Sequence, residues 1–126
     1  MTAEWLLLTF LLLQVKHLFA DYIWQSGWMV MNKGKYGHPG GLAHAALHAV
    51  LTLVVLVLLG IDPVWALVVS VGEFVLHYHI DWLKDQVIRR RNPSPKQREY
   101  WIYTGLDQFG HQVTLIAVVA ALLWFS

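Results

Sequence analysis

Eight ionisable residues of this chain fall into four pairs of one spacing: His17 and Asp21, His44 and His48, His77 and Asp81, and Asp107 and His111. Residues at i and i+4 of a helix share one face, one turn apart, so each pair presents two donors in the same direction. Five imidazoles and three carboxylates form a nitrogen and oxygen ligand set suited to a divalent metal: zinc, manganese or iron. The sequence has no cysteine, which removes thiolate ligands and thiol nucleophiles from consideration. Eight candidates exceed the four ligands of one tetrahedral ion. The pattern therefore predicts either two ions, or one ion whose ligands are oriented by the remaining members. Glu73 extends the His77 face by one more turn, Gln25 and Gln108 lie close enough to hydrogen-bond the ligands, and Lys84 follows Asp81 by about a turn.

Such pairs need helices that carry them to a common level. Of the 126 residues, 57% are hydrophobic and 13% charged, with a mean hydropathy of +0.49, outside the balance of a soluble domain. The expected fold is all-α: an integral membrane four-helix bundle. About 20 apolar residues cross a bilayer core, so four spans, at about 4–25, 42–59, 63–91 and 105–124, use nearly the whole chain as a single transmembrane domain. The breakers His38-Pro39-Gly40-Gly41 set the start of the second helix and Gly60 its end. Asp62-Pro63 reads as a cap followed by a first-turn proline, and Asn92-Pro93-Ser94-Pro95 ends the third helix. Ser94 and Gln97 have the form of a capping box. A short amphipathic interfacial helix at about 95–103, bearing Tyr100, Trp101 and Tyr103, is expected before the fourth span. The apolar segment Met1–Ala20 reads as a retained helix rather than a signal peptide, because Glu4 stands where a basic n-region would.

Short connections predict an up-down-up-down order. The pairs lie near the C-terminal ends of helices one and three and the N-terminal ends of helices two and four, so alternation places all of them at one depth. All nine Lys and Arg residues fall at Lys16, in Lys33 to Lys35, or between Lys84 and Arg98. The positive-inside rule then makes the polar site and basic loops cytoplasmic and puts both termini outside. The expected surroundings are the lipid bilayer, with no nucleic-acid partner, and a homo-oligomer is compatible with the pattern. His38 reads as a loop residue and His79 as an interfacial one or as a partner that orients a ligand, while the tryptophans at helix ends suit the headgroup belt.

Ionisable groups within a bilayer cost about 2.5–3.5 kcal/mol each on insertion scales, so four coincident pairs call for a function. The leading expectation is a metal-binding site acting as a metal-dependent hydrolase on a lipid or lipid-phosphate substrate. Its catalytic groups would be Glu73 or Asp81 as general base and Lys84 as the partner of developing negative charge. Two other classes compete: a proton or metal-ion transporter or channel component, and a di-iron membrane oxidase.

The segments His17-Leu18-Phe19-Ala20-Asp21-Tyr22-Ile23-Trp24-Gln25, His44-Ala45-Ala46-Leu47-His48, His77-Tyr78-His79-Ile80-Asp81-Trp82-Leu83-Lys84 and Asp107-Gln108-Phe109-Gly110-His111 occur in an order that resembles the small bacterial and phage membrane family known as domain of unknown function 3307. The resemblance covers essentially the whole chain and implies a bacterial inner membrane, without implying an activity. A more distant similarity, of His and Asp motifs on short membrane helices, links the chain to membrane-bound metal-dependent hydrolases.

Overall fold

A computed structural model describes residues 1–125 and contains helices and connecting turns only. Helix α1 spans Ala3–Leu18 and continues into a π-helical turn, Phe19–Ile23; α2 spans Gly27–Asn32, α3 Pro39–Leu58, α4 Pro63–Arg91 and α5 Arg98–Trp124. Four of these segments, with α1 and its π turn taken together, are long and apolar enough to cross a membrane.

The chain terminates each helix with recognisable chemistry. The Thr2 hydroxyl accepts from the Trp5 N–H at 3.1 Å to open α1. Asp62 caps α4 by accepting from the Val64 and Trp65 N–H groups at 3.0 and 3.1 Å, ahead of a proline whose missing N–H costs nothing at that position. The turn before it is only a few residues long because Gly60 adopts φ +82°, a conformation that an L side chain resists.

Several elements differ from the sequence expectation, each for a local reason. The first helix does not run as a regular α-helix to Gln25: its last turn is π, closed by a 2.7 Å bond from Trp24 N–H to the Phe19 carbonyl, and Asp21 lies within that turn. The segment expected as loop between 26 and 41 contains α2, capped by the Ser26 hydroxyl accepting from Met29 N–H at 3.3 Å. Helix α3 begins at Pro39 rather than Leu42, with His38 as its cap through a 3.0 Å bond from Gly40 N–H to Nδ1. The Pro-Gly-Gly run that reads as a breaker is here a first-turn proline and two close-packing glycines. Residues 98–103 form the opening turns of α5 rather than a separate interfacial helix, and the helix runs through Gly105. Half of the expected capping box forms, with Ser94 backbone N–H donating to Gln97 Oε1 at 2.7 Å, while the Ser94 hydroxyl accepts from Lys96 N–H at 3.3 Å. These bonds close the turn that precedes α5.

Inside the bundle the usual distribution is inverted at one end. Buried polar and ionisable side chains outnumber buried apolar ones, while Leu7, Leu11, Leu58, Val64, Phe109 and Ile116 are exposed. The apolar core is confined to the other end, where Leu13, Leu56, Val69, Leu115, Val118 and Leu122 pack together.

A Cβ at Gly40 would lie 2.9 Å from the Trp28 carbonyl oxygen, whereas one at Gly72 would meet nothing within 4 Å. Gly40→Ala should thus destabilise the α2–α3 packing by about 1–3 kcal/mol, and Gly72→Ala should be neutral or stabilising by about 0.4–1 kcal/mol. Thermal unfolding in detergent checks both, and equal effects at the two sites would remove the close-approach explanation.

Candidate metal centre

The structure brings all eight residues of the four pairs together, with α1 and its π turn, α3, α4 and α5 each contributing two. Two carboxylates organise the cluster. Asp21 Oδ1 lies 3.2 Å from His44 Nε2 and 2.8 Å from His48 Nε2, while its Oδ2 lies 3.1 Å from His17 Nε2. The π turn widens α1 where Asp21 stands, and this one residue reaches two imidazoles of α3 while keeping its own-helix partner. Asp81 works likewise: Oδ2 is 3.3 Å from His44 Nε2 and 3.2 Å from His77 Nε2, and Oδ1 is 3.0 Å from His111 Nε2. Asp107 Oδ1 sits 3.3 Å from His111 Nε2.

The rings are packed against one another. His77 stacks between His48 and His111, with centroids 3.8 and 4.2 Å away. His44 and His48 are fully buried. Two groups present donor atoms mutually within 4.8 Å, one made of Asp21, His44, His48 and His77 and the other of His77, Asp81 and His111. His17 and Asp107 flank these groups through Asp21 and His111.

Hydrogen-bond alignment differs across the cluster. His48 Nε2 and His111 Nε2 are hydrogen-bonded to Asp21 and Asp81. By contrast, His44 Nε2 and His77 Nε2 have no hydrogen-bond partner among the described residues, although carboxylate oxygens lie 3.2–3.3 Å away. Four ligands at about 2.0–2.1 Å from a tetrahedral ion stand about 3.3 Å from each other, close to the separations of His44 and His77 from the two aspartates. Buried polar atoms are nearly always paired, and a cation held between these donors could satisfy them.

Polar groups around the cluster hold it in place. The Gln108 carbonyl oxygen lies 3.3 Å from His17 Nε2, and its amide donates to Asp107 Oδ2 at 3.2 Å. The Gln25 amide donates to the Asp21 carbonyl at 2.8 Å. Lys84 Nζ donates to Asp107 Oδ2 at 3.3 Å, and Lys33 Nζ lies 3.7 Å from Asp81 Oδ2. A cavity of about 370 Å³ opens onto the cluster, lined among others by Asp21, Lys33, Asp81, Lys84, Asp107 and Gln108. A second hollow of about 340 Å³ between α4 and α5, walled by Ile80, Leu83, Val87 and Leu106, shares Lys84 and Asp107 with the first.

Two expected roles meet a different environment. Glu73, expected as a general base, is buried one turn beyond the layer and ion-paired with Lys16. Asp81, expected as a general base or a ligand, has both oxygens against imidazoles. By sequence position Lys16 groups with the surface cations of the basic side. It is in fact buried, and its ammonium also donates to the His48 carbonyl at 3.4 Å. The signal that reveals this pair in sequence is an unbalanced Lys in one apolar helix and an unbalanced Glu in another, each adjoining a histidine pair, since each charge would be costly alone. Off the cluster, His79 is exposed and meets Tyr36 OH at 2.9 Å.

A family model described as "Protein of unknown function (DUF3307)" matches residues 7–126. No curated protein and no solved structure gives a match.

Removing one member of the Lys16–Glu73 pair leaves an uncompensated buried charge, at a cost of about 3–5 kcal/mol. Lys16→Met alone should therefore lower the unfolding temperature in detergent more than Lys16→Met combined with Glu73→Gln. Additive losses in this cycle would show that the pair contributes no coupling.

Proposed function

The chain belongs to the DUF3307 family of proteins of unknown function, and we propose that it is a membrane-embedded divalent-metal protein that hydrolyses a lipid or lipid-phosphate substrate from the cytoplasmic side. The observation that carries this reading is the convergence of imidazole nitrogens and carboxylate oxygens from four helices, with His44 Nε2 and His77 Nε2 facing carboxylates out of hydrogen-bond alignment.

Exposed apolar side chains around a polar interior suit a lipid solvent. Short connections give the four spans an up-down-up-down order, which agrees with polar pairs at opposite ends of successive helices. Lys16 drops out of the positive-inside count because it is buried. The remaining Lys and Arg residues, from Lys33 and Lys35 to the Lys84–Arg98 stretch, still lie on the side where the cavity opens, and that side is assigned to the cytoplasm, with both termini outside.

A divalent ion held by these residues would lower the pKa of bound water to about 7 and polarise a phosphoryl or acyl oxygen. Water adds at phosphorus or at the acyl carbon, the bond to the alkoxy oxygen breaks, and the proton of water ends on the departing alcohol. Lys84 and Lys33 line the cavity where the substrate's charged oxygens would stand, and an ammonium there offsets the negative charge that grows in the transition state. The apolar hollow that meets the cavity at Lys84 and Asp107 suits an acyl chain. A transporter reading draws on Lys16 and Glu73, which carry charge one turn past the layer. Against it stands the apolar cluster of Leu13, Leu56, Leu115 and Leu122 beyond them.

Detergent-purified protein, loaded without chelators, should contain stoichiometric metal that is lost when His44 and His48 are both changed to Ala. Wild-type protein that cannot be loaded sinks the metal reading. Hydrolysis of a short-chain phosphatidic acid should accompany the metal, and Lys84→Met should lower kcat/KM about 100-fold. Ion flux in proteoliposomes without any hydrolysis would move the assignment to transport.

A further inference from the structure

If the cluster binds metal, as proposed above, the geometry points to a dinuclear centre in which Asp81 bridges two ions through its two carboxylate oxygens; this inference rests on the metal-binding reading and deepens it. One ion occupies the closed pocket of Asp21, His44, His48 and His77. The other sits on His111 and Asp107, open to the cavity.

The two oxygens of Asp81 face different donor sets. Oδ2 lies 3.2–3.3 Å from the Nε2 atoms of His77 and His44, and His44 Nε2 is in turn 3.2 Å from Asp21 Oδ1. Oδ1 lies 3.0 Å from His111 Nε2, which is 3.3 Å from Asp107 Oδ1. His111 thus stands within 3.0–3.3 Å of an oxygen of each of Asp81 and Asp107, and the two sets have only Asp81 in common as an oxygen donor.

The Asp107 side carries its own evidence of a missing partner. Asp107 Oδ1 is buried without a hydrogen bond among the described residues. Its other oxygen is held by Lys84 at 3.3 Å and Gln108 at 3.2 Å, which fixes the free oxygen toward His111. His17 is excluded as a ligand of either ion by its position. Its Nε2 is shared between Asp21 Oδ2 at 3.1 Å and Gln108 Oε1 at 3.3 Å, so it orients Asp21.

Donor number then divides the labour. The first set offers four donors that lie mutually within 4.8 Å, the number that fills a tetrahedral ion, with Asp81 Oδ2 beside His44 and His77, and three of its members are fully or almost fully buried histidines. The second set offers three protein donors, the number that leaves a position open for water or substrate. Both Asp81 and Asp107 line the cavity, so this open position faces the way in. A carboxylate between two dications about 3.5–4 Å apart also reduces their repulsion.

The test is manganese loading of the full-length protein in detergent, read by metal analysis and by electron paramagnetic resonance. Two ions per chain with an exchange-coupled spectrum are expected for the wild type. Asp107→Asn combined with His111→Gln should keep one ion, give the uncoupled six-line spectrum of isolated manganese, and leave helix content unchanged. Wild-type saturation at one ion per chain, or two ions without coupling, overturns the bridged centre while leaving metal binding intact, and needs no variant to be decisive. Two coupled ions retained in the double variant also overturn it. Failure to bind any manganese, zinc or iron would instead overturn the reading on which it rests.

Discussion

Charge buried away from water must find charge or a proton donor of its own, and in this molecule that requirement is met by two aspartates. Asp21 and Asp81 each take imidazoles on both oxygens, and between them they touch His17, His44, His48, His77 and His111. Because those rings come from every long helix, satisfying two carboxylates fixes how α1, α3, α4 and α5 stand at one end of the bundle. His44, within reach of both aspartates, ties the α1 side of the cluster to the α4 side. The stacked rings of His48, His77 and His111 fill the space between, so the polar layer also packs as a core does. Lys16 and Glu73 obey the same rule one turn further in, as a mutual pair rather than as members of the ligand set.

The two ends of the bundle therefore do different work. Beyond Lys16 and Glu73 the interior is closed by leucine and valine side chains whose packing needs no polar partner. At the polar end the helices leave a cavity bounded by Lys33, Lys84, Asp107 and Gln108, and the ligand layer forms its floor. A site of that kind admits a polar group from one side only. In the proposed membrane setting, the apolar hollow along α4 and α5 would let an amphiphile place its head in the cavity without leaving the lipid, and the proposed lipid substrate rests on this position of the site more than on any single residue.

Much of this is legible from residue types and spacing. The i and i+4 recurrence of His and Asp fixes which faces turn inward, because a helix places such pairs on one side whatever it packs against. The length and apolarity of the runs give four long helices, and Asp62-Pro63 and Asn92-Pro93 mark helix ends through backbone chemistry that acts within a few residues. Local signals fail where a neighbour changes their meaning. Pro39-Gly40-Gly41 reads as a break, yet the α2 backbone passing close by makes those glycines the residues that allow α3 to start early. Gly105 carries a helix penalty of only about 1 kcal/mol, too small to divide α5.

The sequence by itself determined the all-helical character, the identity of the eight polar residues, and the fact that they share faces, since these follow from periodicity and from side-chain chemistry. Only the tertiary structure decided the partnerships. Whether Asp81 meets imidazoles on one oxygen or on both, whether Glu73 is free or held by Lys16, and whether Lys16 faces outward or inward all depend on which helices are neighbours and at what rotation. Electrostatic pairing falls off within a few ångströms, whereas spacing along one helix carries no information about the ring that stands across from it.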